Sequence, residues 1–200
     1  DPIRNIRKLN SPLLDKKEIV LVDRCKRVAE HFSAVPGVSL FENLGEGMKV
    51  SAKGYVFVTH YDLSQWSQRE DVLVLRPRDL VVGIGCNRDT GSGEIETVIR
   101  EEFARLHLSL ESIACLATIE AKQDEAGLLE FVARENLPLE FHSASSLNSI
   151  KTPSAPSPYA EEAVGAKGVC EPAAILSAGS DRLILEKQKR GNVTIALSEK

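Results

Sequence analysis

The stretch LVVGIGCNRDTGSGE, residues 80–94, constrains the fold of this chain more than any other. Its first half is an apolar run without polar alternation, the pattern of a strand buried on both faces. The run ends among the glycines Gly83 and Gly85. A helical pattern follows, with Ile95, Val98, Ile99, Phe103 and Leu106 on one face. Ser92 is placed to cap that helix, and Glu94 lies near the positive end of its dipole. Strand, tight turn and helix in immediate succession predict a parallel sheet covered by helices.

Similar units recur along the chain. EIVLVD (18–23), GVSLFE (37–42), GYVFVTH (54–60) and VLVLRP (72–77) read as short strands, with a helix predicted between Cys25 and Val35. SIACLATIE (112–120) predicts a strand into Ile119, and Asp124 is placed to cap a helix carrying Leu128, Leu129 and Val132. Pro138 opens a strand at LEFHS. IKTPSAPSPY (150–159) predicts an extended surface loop, and CEPAAILSAG a helix with Pro172 in its first turn. RLILEKQKRGNVTIALS predicts a terminal hairpin turning at Gly-Asn. The expected fold class is α/β, with two small α/β domains. The predicted divisions are a linker over 1–15, a small α/β region over 16–78, and a C-terminal domain over 79–200. That last domain is expected to be a three-layer sandwich with a mostly parallel sheet.

Composition narrows the partners. With 42% apolar and 27% charged residues and a net charge of −4, the chain is globular and carries no overall basic field. Nucleic acid and membrane are therefore not expected partners, and an anionic ligand needs a local cation cluster. No apolar run approaches the ~20 residues of a membrane span. Cys25, Cys86, Cys115 and Cys170 are widely spaced, which favours reduced thiols and a cytoplasmic setting. Four scattered histidines give no metal-ligand pattern, so no metal site is expected. The chain opens DPIRNIRKLN without methionine and reads as a piece of a longer protein.

Several residues carry potential chemistry. The dinucleotide fingerprint fails because Arg88 stands where the third glycine belongs, and no Walker Gly-Lys-Ser/Thr follows. What remains is either a turn that lets a ligand approach the backbone beside the Arg88 fork, or a βα connection that needs glycine for its dihedrals. Cys86 sits at a strand end near a helix start that would lower its pKa, although buried cysteines are commonly inert. Glu120, Lys122 and Asp124 share one face if the strand continues, giving a base beside an anion anchor; the alternative is a solvated edge before a cap. Glu171 is electrostatically comfortable at a helix start without any function. Lys187, Lys189 and Arg190 at the hairpin suit a polycarboxylate, or are simply solvated.

In order and spacing, LRPRDLVVGIGCNRDT, ATIEAKQDEAGLL, GVCEPAAIL and EKQKRGNVTIAL resemble the C-terminal domain of the CbiG family of cobalamin biosynthesis, a domain that stands alone as CobE. The likeness covers about residues 76 to 198, and residues 1 to 75 look like the family's linker and middle region. The resemblance implies a cobalt-precorrin-5A hydrolase, a hydrolase acting on carbon-carbon bonds. Such an enzyme opens the ring-A δ-lactone of its corrinoid and releases acetaldehyde. It implies a cobalt-corrinoid partner whose cobalt arrives within the substrate, no separate cofactor, and possible homodimers.

Carried over by position, Glu120 and Glu171 are the catalytic candidates. Gly83, Gly85, Cys86, Arg88, Glu94, Lys122 and Lys187 are the substrate-binding ones. Asn87, Asp89 and Glu120 depart from the family pattern. Backbone amides after Gly85 are expected to stabilise the oxyanion, with Cys86 dispensable. Gly85 and Glu120 are expected to end neighbouring parallel strands at one edge, with Lys122 flanking the opening and Lys187 approaching from the hairpin. The alternatives are a non-catalytic corrinoid carrier and, less favoured, a nucleotide-binding domain.

Overall fold

A computed structural model describes residues 18–200 together with Ile6 and Leu9, so most of the predicted linker lies outside the described residues. The chain forms two compact units, Asp1–Pro77 and Arg78–Lys200. In the first, β1 (Ile19–Asp23), β2 (Val38–Phe41), β3 (Gly54–Val58) and β4 (Val72–Leu75) form a parallel sheet in the order β2-β1-β3-β4. Every residue of β1 is buried, and Val20, Val22, Phe57, Leu63 and Val72 share one core.

The helix predicted between Cys25 and Val35 is reduced to one turn, α1 (Ala29–Phe32). The Asp23 carboxylate accepts the Val28 and Ala29 amides at 2.7 and 2.9 Å and starts that turn only there. Lys26, at φ 54°, keeps the chain before it out of the helix. Two further single turns, α2 (Leu44–Gly47) and α3 (Ser64–Ser67), complete the connections.

The second unit is a five-stranded sheet ordered β7-β6-β5-β9-β8. β5 (Leu80–Cys86), β6 (Ile113–Ile119) and β7 (Leu139–His142) run parallel. β9 (Val193–Glu199) inserts antiparallel beside β5 and pairs with β8 (Leu183–Arg190) as the terminal hairpin. Val81, Cys115, Ala117 and Ile119 pack with Ala173 of α8 (Cys170–Ala178) on one face. The alternate positions Leu80, Val82 and Ile84 turn to the other face. There α4 (Ser92–Arg105) and α5 (Ala126–Glu135) bury Ile95, Ile99, Phe103 and Leu128. The result is a three-layer sandwich.

Two short helices were not legible as such: α6 (Ala144–Asn148) and α7 (Pro158–Val164). Each begins on a serine whose hydroxyl accepts a backbone amide, Ser143 from Ser146 and Ser157 from Ala160. The predicted caps also shift. Ser92 is the first helical residue and Gly91 takes the cap position without a side-chain bond. Glu125, not Asp124, precedes α5.

Gly83 shows why α8 can lie so close to β5. A Cβ there would overlap the Cys170 carbonyl oxygen and stand 2.8 Å from the Ala174 methyl. Backbone cannot retreat as a flexible side chain can, so Gly83→Ala should destabilise the fold by about 3 kcal/mol, the upper range for overpacking. Urea unfolding checks this; an unchanged midpoint would mean that α8 is not seated on β5.

Candidate active site

The predicted site residues gather at the carboxyl ends of the parallel strands in the second unit. Gly83 is level with Ala117 in the last pair of the β5–β6 ladder, and two residues further on each strand come Gly85 and Ile119, the residue before Glu120. Paired strands run about 5 Å apart. Ligands of open α/β sheets gather at such an edge.

The chain does not continue as a strand beyond Ile119 but makes a single 3-10 turn, Glu120–Lys122. This separates the side chains that an extended strand would align. Glu120 is exposed, and among the described residues its carboxylate has no partner. Lys122 is buried and its ammonium donates to Glu125 Oε2 at 2.8 Å. Asp124 points outward and accepts from Arg88 Nη1 at 2.7 Å.

Glu125 is the residue that sequence reasoning missed. Its side chain is 1% exposed, and Oε1 accepts the Asp89 amide at 2.7 Å. Asp89 is held at φ 60°, so one buried carboxylate joins the loop after β5 to the turn after β6. The signal available in the sequence was the three-residue spacing from Lys122, which puts the two side chains together on a helical turn.

Glu94 is engaged by the hairpin turn: its carboxylate accepts Asn192 N at 2.9 Å and Asn192 Nδ2 at 3.2 Å. These bonds hold its carboxyl below the ordinary carboxylate range. The same hairpin turn reaches Asn87, whose amide donates to the Asn192 carbonyl at 2.9 Å. With the Asp89 amide on Glu125, the Arg88 amide alone among residues 87–89 keeps its N–H unpaired among the described residues.

Cys86 corrects an expectation. It is half-buried, and burial pushes its thiol up; Lys122 pulls the other way, while Glu125 and Glu94 add to the rise. The net direction is upward, opposite to the lowering expected from a helix start.

On the α8 face, Gly83 and Gly85 are packed rather than open. A Cβ at Gly85 would stand 2.7 Å from Thr194 Oγ1 and 3.5 Å from Val169 Cβ. Glu171 is buried with both oxygens engaged. Oε1 accepts from Ser154 Oγ at 2.8 Å and from the Lys187 amide at 2.9 Å, and Oε2 accepts from the Ser154 amide at 3.4 Å. It fastens the proline-rich loop and β8 to α8. Lys187 is half-buried, and its ammonium has no partner among the described residues. The edge thus divides into an α4-side group (Cys86, Arg88, Glu94, Lys122) and an α8-side group (Gly83, Gly85, Glu171, Lys187). A separate cleft of about 290 Å³ at the amino ends of the strands, lined by Arg78, Ile99, Phe131 and Leu137 among others, contains none of these residues.

Residues 80–198 match the family described as cobalamin synthesis G C-terminus. The chain belongs to that family. A cobalt-precorrin-5A hydrolase from Priestia megaterium is 36% identical over 97% of this chain and 53% of its own length. Protein CobE of a Sinorhizobium species is 28% identical over 60% of this chain and 79% of its own length. The solved structure of CobE, from the cobalamin (vitamin B12) biosynthetic pathway, aligns at a TM-score of 0.55 and 26% identity, covering 60% of this chain and 89% of that one. A putative cobalamin biosynthesis protein G homolog from Sulfolobus solfataricus shares the fold at a TM-score of 0.52 and 24% identity, over 98% of this chain and 54% of that one. The chain thus spans about half the length of the hydrolase from Priestia. No helix among the described residues is long and apolar enough to cross a membrane.

The cysteines of this cobalamin-family chain give a pH-dependent test. Burial pushes both Cys115 and Cys170 up to about 11. A raised folded-state pKa protects stability below the unfolded thiol value and forfeits it as pH climbs towards the folded one. Stability should therefore fall between about pH 8.5 and 11. Iodoacetamide at pH 8 should label exposed Cys25 first and leave Cys115 and Cys170 unmodified until urea unfolds the chain, as read by peptide mass spectrometry. Early labelling of Cys170 would contradict the seating of α8.

Proposed function

We propose that this chain provides the corrinoid-handling half of a cobalt-precorrin-5A hydrolase, with Glu120 as the general base of lactone opening. One observation carries the reading: an exposed carboxylate, unpartnered among the described residues, at the sheet edge where a ligand of this fold class gathers, with Arg88 on the adjoining loop. The family match and the hydrolase names of the relatives supply the reaction class.

Glu120 takes a proton from water as the hydroxide adds to the lactone carbonyl. The Arg88 amide donates to the resulting oxyanion. Collapse breaks the ring C–O bond; the acyl half leaves as a carboxylate and the alkoxide takes up the proton. The hydroxyl then loses its proton as its C–O bond becomes the carbonyl of acetaldehyde; the C–C bond to the macrocycle breaks, and the macrocycle takes up that electron pair and a proton. Arg88 and Lys187 hold peripheral carboxylates, Glu171 acts as a positioning residue through Ser154 and Lys187, and Lys122 stays bound to Glu125. Cobalt enters within the substrate, and no separate cofactor takes part.

A second reading, a non-catalytic corrinoid carrier, is favoured by the match to CobE, 79% of whose length this chain covers. Acetaldehyde release from cobalt-precorrin-5A separates the two. In the protein that contains this chain, Glu120→Gln should lower kcat by about 10²- to 10⁴-fold, the usual worth of a positioned base, with corrinoid binding retained. Turnover within threefold of the parent would remove Glu120 from the mechanism.

A further inference from the structure

We propose that Asp124 is an internal stand-in for a substrate carboxylate, displaced from Arg88 when the ligand binds, and so competes for that guanidinium with acid-bearing corrinoids but not with amide-bearing ones. The inference rests on the reading above, that this edge takes a polycarboxylate. Arg88 and Asp124 meet at 2.7 Å with both side chains largely exposed, 60% and 71%. The contact uses Nη1 alone; Nε and Nη2 have no partner among the described residues, and Glu125 lies 3.9 Å from Nη1. The guanidinium is therefore held by one hydrogen bond where its geometry offers two in parallel.

An exposed one-point pair is weakly held. A carboxylate arriving with both oxygens can take the fork and displace Asp124. A neutral amide brings no charge to offset the loss of that pair, so it leaves the pair in place and binds without the fork. The loop below does not move in the exchange, because the Asp89 amide and Lys122 stay on Glu125. Asp124 thus keeps the guanidinium placed over the edge while the site is empty.

Equilibrium dialysis against two cobalt corrinoids tests this: dicyanocobyrinic acid, whose periphery is carboxylic, and dicyanocobinamide, whose periphery is amide. Asp124→Asn should tighten the acid about two- to fivefold, the range of an exposed pair, and leave the amide form unchanged. In an Arg88→Met background the gain from Asp124→Asn should vanish. Both side chains are exposed, so neither change threatens folding. A parent chain that binds the acid without any gain in Asp124→Asn overturns the displacement. So does a gain that persists without Arg88, which is mere loss of a repelling charge. A parent chain that binds neither corrinoid overturns the polycarboxylate site itself, and the displacement with it.

Discussion

The geometry of the candidate site hangs on one buried carboxylate, that of Glu125. Burying a charge is expensive unless it is paired and its remaining lone pairs are satisfied. Glu125 meets that condition with a buried ammonium from Lys122 and a backbone amide from Asp89. Those two partners belong to different loops, one after β5 and one after β6, so satisfying the charge also fixes the gap between the loops. Arg88 precedes Asp89 and Asp124 precedes Glu125, so the exposed pair inherits its placement from the buried one. Loss of either buried partner would leave the other charge uncompensated, which makes this contact costlier to break than any ion pair on the surface.

A second buried carboxylate performs a related task further along the same unit. Glu102 of α4 is 2% exposed at its side chain and is gripped by Arg105 at 2.7 Å and by Arg190 at 3.0 Å. Arg190 ends β8, so the hairpin is tied to α4 from below while Asn192 ties it to Glu94 from above. Glu171 does the same for β8 from the α8 face. The edge strand is thus anchored by carboxylates on both faces of the sheet.

The central strands were legible because burial on both faces leaves an uninterrupted apolar run, as in Leu80–Cys86, short and bounded by turn residues. The short helices were not. Ahead of Pro158–Val164 the prolines Pro153, Pro156 and Pro158 look like loop punctuation, whereas Pro158 occupies the first helical position, where its missing N–H costs nothing. At the site, the edge itself could be read from where the apolar runs stop. The facing of Glu120, Lys122 and Asp124 could not, because it depends on whether the chain stays extended past Ile119 or tightens into a 3-10 turn. Nor could the burial of Glu171, whose partner Ser154 lies seventeen residues back in a loop with no pattern of its own. Sequence spacing reports neighbours along an element; it is silent about partners that the fold alone brings together.

The glycines illustrate the same point from the packing side. Gly83 and Gly85 look like ligand-approach residues in the sequence, and in the fold their missing side chains are filled by α8, Thr194 and Val169. That close packing still bears on the site, because it brings the amino end of α8 to the carboxyl edge of β5. The chain leaves the sheet at β7 on one side and re-enters at β8 on the other, with α8 crossing the face between them. β9 fills the flank of β5 towards β8, and its turn closes over Asn87 and Glu94. Between β5 and β6 no strand turn crosses the edge, and the two loops are bridged instead by Glu125 on the Asp89 amide and by the Arg88–Asp124 pair. Glu120 belongs to the β6 side of that bridge and Arg88 to the β5 side, the two residues on which the proposed reaction relies.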